Sequence, residues 1–140
     1  MQTKPVLRLA FVAAGIAVTA ATFTLALAQL APPVDNVGVA AKVIGSVPLA
    51  GEIDGVDGRQ LRMRIVTLAP GGMFAQHSHK DRPSVEFVLK GSATEFRGDA
   101  RKEYREGDSV LADKNTTHWW RNDGKEPTIF VAVDVFNAPK

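Results

Sequence analysis

Over residues 60–136 the chain is cut into short β-like segments, each closed by Gly, Pro, Asp or Asn within roughly eight to twelve residues. No segment there sustains a helical period. Segments of this kind fit an antiparallel sandwich or barrel, and roughly 80 residues suffice for a small closed barrel with one core. In the first, Leu61, Met63 and Ile65 alternate with Arg62, Arg64 and Val66, so one face is apolar and the other largely charged. Pro70-Gly71-Gly72 is expected to break it. Further strands are expected at 73–79, 85–89, 93–96, 102–105, 110–112, 117–121 and 128–136. In the last, Ile129, Val131, Val133 and Val135 share one face, with Phe130 and Phe136 on the other.

The first 28 residues read differently. Lys4 and Arg8 precede an apolar run over 9–27, and Ala26-Leu27-Ala28 fits a cleavage site, so residues 1–28 are expected to form a signal helix that is removed before Gln29. The alternative is an uncleaved membrane anchor. The net charge of +2 belongs to this segment: without Lys4 and Arg8, 15 basic residues face 15 acidic ones. With no Lys/Arg cluster interleaved with aromatics, nucleic acid is not expected as a partner. The absence of cysteine excludes disulfides and zinc–thiolate chemistry. An exported domain of this kind must be stable through its core alone. Residues 29–58, with Pro32, Pro33, Gly38 and Gly45, are expected to form an arm without regular structure.

The chain has three histidines. His77 and His79 are two apart in a β segment, so they point to one face, where paired imidazoles can chelate a metal. His118 lies in a later β segment.

These residues carry a resemblance. Gly71, five residues, His77-Ser78-His79 and then Gly91 match one motif of the small single-domain cupins. Gly107, five residues, Asp113-Lys114-Asn115, two residues, His118, three residues and Asn122 match the other. The chain thus resembles the cupins over about residues 60–136. Two departures stand out. Asp113 and Asn115 replace Pro and Gly in a turn that both can make. Ser84 stands where the family's glutamate belongs, with Glu86 two residues along the same face and Glu95 as the other candidate acid.

The resemblance implies an all-β, antiparallel jelly-roll or double-stranded β-helix barrel over 59–138. It also implies a metal site at His77, His79 and His118, with Glu86 as fourth ligand or as catalytic base, or with three histidines alone. The ion would be a divalent transition metal, Fe, Mn, Zn, Ni or Cu. Trp120, on the face of His118, is expected to line the pocket, and Trp119 to face away. Met73 shares the histidine face and is expected to narrow the pocket. Asn122 fixes a turn at its edge, and Arg82 is a candidate for gripping an acidic substrate at the mouth. Two functions follow: an exported metal-dependent oxygenase-type enzyme on a small organic molecule, or a non-catalytic module that binds a small ligand or metal. The resemblance further implies a homodimer, with the last strand covered by the 34–50 arm or by a second chain, and no membrane insertion after cleavage.

Overall fold

The computed structural model describes residues 31–137, and the expected signal segment lies outside them. Eight strands are formed: β1 (Val37–Pro48), β2 (Arg59–Ser78), β3 (Ser84–Lys90), β4 (Ser92–Arg97), β5 (Ala100–Arg105), β6 (Ser109–Ala112), β7 (Thr117–Arg121) and β8 (Thr128–Asn137). They pair antiparallel in the order β5-β4-β7-β2-β8-β3-β6, with β1 added to β2, as a nearly closed barrel. Among the described residues no helix is long and apolar enough to cross a membrane.

Strand β2 shapes the barrel. Its first part, from Arg59 to Leu68, pairs with β8, and its last part, from Met73 to Ser78, pairs with β7. Pro70-Gly71-Gly72 therefore bends the strand from one wall into the other instead of ending it. Gly71 takes a positive φ of 71°, which a side chain rarely adopts. A Cβ on Gly72 would stand 2.8 Å from the Ala69 carbonyl oxygen and 2.9 Å from that of Val37. Asn122 fixes the bend from β7. Its backbone pairs with Gly71 and Gly72, and its buried amide donates to the Leu68 and Glu126 carbonyls.

The expected arm is also a strand. β1 pairs with the first part of β2 from Val39 to Pro48. It lies almost wholly exposed on both faces, so burial imposes no alternation on its sequence. It extends the sheet edge and leaves the outer face of β8 uncovered.

The interior is built in layers given by the register. Arg62, Asp134 and Ser84 pair across β2, β8 and β3, followed by Arg64, Ala132 and Glu86, then Val66, Phe130 and Val88. The third layer belongs to the main core with Leu68, Ala93, Tyr104, Val110 and Trp120. The first two are polar. Asp134 is fully enclosed and holds Arg62 at 2.8 Å and Arg64 at 3.1 Å. The charged face of β2 thus points inward, and its Leu61 and Met63 point outward. Phe130 packs in the core, while Phe136 lies under the Arg62 guanidinium at 3.6 Å.

Candidate metal centre

His77 and His118 face each other across the β2–β7 pair, and His79 follows His77 by one alternation. Between Phe74 and His77 the register slips, two residues of β2 opposing Trp119 alone. Such a bulge turns the strand locally. It puts Phe74, opposite Trp120, on the face of His77, with the ring centroids 4.7 Å apart.

Each Nδ1 is committed to an acceptor. His77 Nδ1 donates to the Ala75 carbonyl at 2.9 Å and His79 Nδ1 to that of Arg82 at 2.8 Å. His118 Nδ1 meets the Glu95 carboxylate at 2.5 Å. Carbonyls only accept, so the proton sits on Nδ1 and the lone pair on Nε2. The Nε2 of His118 lies 3.0 Å from that of His79 and 3.0 Å from that of His77. Burial lowers the pKa of His77 to about 3 and of His79 to about 4. With Nδ1 of each ring turned to an acceptor, the three Nε2 atoms converge, and a cation satisfies their lone pairs. An ion with ~2.1 Å bonds to nitrogen spans a 3.0 Å pair at roughly 90°. The residues fit a transition metal.

Behind His118 stands an acid that the sequence placed only loosely. Burial alone would raise the Glu95 pKa, but hydrogen bonds from His118 and Arg97 hold it below its ordinary value. Arg97 donates to Glu95 at 2.8 Å and to the Leu111 carbonyl at 2.9 Å. Glu95 orients the ligand, so Glu95→Gln should weaken metal affinity about 10- to 100-fold in a competitive chelator titration. Equal affinity in the two proteins would contradict this role.

A family model described as a cupin domain matches residues 64–135. The chain belongs to the cupin family. This cupin is 26% identical over 134 residues to a germin-like protein of Morus alba, covering 92% of this chain and 56% of the relative, so it spans little more than half of that protein. Its barrel is similar to a Cupin 2 conserved barrel domain protein of Salinispora arenicola (TM-score 0.55, 20% identity, covering 74% of this chain and 80% of the other). It is also similar to a double-stranded β-helix protein of Klebsiella pneumoniae (TM-score 0.56, 22% identity, 73% and 85%).

Among the described residues, the convergent ligand group in this cupin is His77, His79 and His118, without a carboxylate. Glu86 instead lines an adjoining enclosed cavity with Arg64, Val66, Phe74, His77, Trp120, Phe130 and Ala132. Burial raises the Glu86 pKa. Ser84 bridges the two groups, its Oγ lying 3.2 Å from His79 Nδ1 and 3.3 Å from Glu86 Oε1. Trp120 lines the cavity as expected, and Trp119 faces away, stacked on Phe96 at 3.8 Å. Three other expected residues stand outside the lining of this cavity. The bulge gives Met73's expected place to Phe74. Asn122 serves the bend. Arg82 sits at one end of the barrel in an open groove with Lys80, Asp81 and Phe136, its Nε 3.8 Å from Asp134.

The lowered histidine pKa values set a pH dependence. The metal competes with protons only where the imidazoles take them up. His77 and His79 stay neutral until the pH falls to about 3 and about 4, respectively. The imidazole NMR resonances of His77 and His79 in metal-free protein should therefore hold constant from pH 7 to 5 and move only below about 4. Movement of either resonance centred near pH 6.5, the ordinary histidine value, would contradict it.

Proposed function

We propose that this cupin is an exported, metal-dependent enzyme of oxygenase type acting on a small organic molecule. The observation that carries the reading is the convergence of three Nε2 atoms whose rings each commit Nδ1 to an acceptor. A divalent transition metal held there would supply Lewis acidity and coordination positions beyond the three nitrogens. The chain supplies the rest. Glu95 and two carbonyls keep the imidazoles aimed. Phe74, Trp120 and Phe130 give the cavity beside His77 an apolar wall. Glu86 keeps a proton more readily than an ordinary glutamate and faces that cavity as a proton donor or acceptor.

One observation favours the second reading, a non-catalytic holder of metal or a small ligand. The cavity has room for only about 10 Å³, which is one water. Elemental analysis of protein purified without a histidine tag tests what the readings share, with about one metal per chain expected for a closed histidine site. Protein that stays metal-free after loading would refute both. Oxygen uptake with small organic substrates then favours the enzyme, and tight binding without turnover favours the holder.

Export rests on residues 1–28, and an intact mass beginning at Gln29 in secreted or periplasmic material supports it. Homodimer formation is supported by the outer face of the barrel. Leu61, Met63, Val85 and Phe87 lie exposed there beside Val131 and Val133, and Leu111 is 68% exposed. Contiguous apolar patches of this kind are seldom left to water.

A further inference from the structure

We propose that Arg64 is the anion anchor of the metal pocket, and that the ligand this cupin takes beside its metal is a small carboxylate held between Arg64 and the metal. The inference rests on the metal reading above and adds the substrate class.

Arg64 is a buried cation with one unused donor. Its side chain is 11% exposed, and its Nη2 reaches Asp134. Its Nε is buried without a hydrogen-bond partner. Such a donor costs free energy unless a ligand satisfies it. Arg64 lines the cavity that His77 also lines, so a molecule there lies beside both the anchor and the metal site. The cavity has a structural cause. In the second interior layer Ala132 stands between Arg64 and Glu86, and its small side chain leaves the gap.

The charge balance points the same way. Arg62, Arg64 and Arg82 all share Asp134 as their carboxylate. Glu95, the other buried acid that an arginine pairs, is already matched by Arg97. Glu86 forms no close ion pair with Arg64 and acts on it only through space, while its burial favours the uncharged carboxyl. Three histidines bring no negative charge to a divalent ion, so the metal and Arg64 together favour an anionic ligand. A carboxylate suits both, with one oxygen on the Nε–H and the other free for the metal. The other walls, Phe74, Trp120, Phe130 and Val66, are apolar. They favour an acid whose remainder is small and carries no charge.

Formate, the smallest carboxylate, is the probe for a cavity this small. Cobalt(II)-loaded protein, its stoichiometry fixed by elemental analysis, is titrated with sodium formate while its visible d–d spectrum is followed. Wild type should show a saturable change, and sodium chloride at equal ionic strength should not reproduce it. Arg64→Met should weaken formate binding about tenfold or more at unchanged cobalt content, since one charge-assisted hydrogen bond is worth about that much. Arg64→Lys should retain part of it. Ala132→Val, which fills the gap and leaves every charge in place, should also abolish the formate response and keep the cobalt. Formate affinity unchanged in both Arg64→Met and Ala132→Val overturns the proposal. So does one cobalt per chain with no formate response in wild type, an outcome that leaves the metal site standing. A wild type that binds no cobalt removes the metal reading and the proposal with it.

Discussion

Replacing His77 and His79 together by alanine should reduce bound metal from about one per chain to near zero. The remaining imidazole of His118 offers a single nitrogen, and one nitrogen holds a divalent ion far more weakly than three. The protein should still fold, because the two side chains lie at one end of the barrel and outside the main apolar cluster. Elemental analysis after dialysis, with circular dichroism on the same samples, checks both points. A second readout follows from linkage. Chelator should lower the melting temperature of the wild type, since a ligand that binds only the folded state stabilises it, and leave that of the double variant unchanged. Equal metal in the two proteins would show that the converging nitrogens are not the site.

The largest loss of stability is expected at Asp134. This carboxylate is 1% exposed and receives Arg62 through two hydrogen bonds and Arg64 through one. Asp134→Ala leaves two guanidinium groups inside the barrel without their partner. Breaking a buried pair from one side costs about 3–5 kcal/mol, a large share of the roughly 5–15 kcal/mol that holds a domain folded. Chemical denaturation measures it. A loss below about 1 kcal/mol would mean that water reaches the arginines freely. The companion variant replaces the hydrogen-bonded set, Asp134→Leu with Arg62→Leu and Arg64→Met, leaving the more exposed Arg82 in place, and should recover most of the loss, because an apolar replacement of a buried ion group is often neutral.

These arginines also show where sequence reading stops. The strands were legible because Gly, Pro and Asp turns punctuate them, and the three histidines because spacing and alternation put His77 and His79 on one face. The inward and outward faces of β2 were not. Alternation separates Leu61, Met63 and Ile65 from Arg62, Arg64 and Val66, but does not say which set lies inside. Asp134 decides it, 70 residues from Arg64, by making buried charge tolerable. β1 escaped notice because neither of its faces is buried, so nothing impresses a period on it. The bulge before His77 exchanged Met73 for Phe74, since one extra residue reverses the parity on which face assignment rests. Glu95 was visible as an acid near the right place. Its pairing with His118 depends on β4 lying beside β7, a neighbour relation that no local pattern encodes.

The two tryptophans are neighbours in sequence, and the barrel wall divides them. Trp120 stands with its ring 5.7 Å from that of His118, and Trp119 lies on the far side against Phe96. They are the only two in the chain. The protein therefore carries one emitter inside the pocket and one reference emitter outside it. Loading with a quenching ion such as copper(II) should darken the first and spare the second, so unmodified protein can report metal occupancy by its own fluorescence.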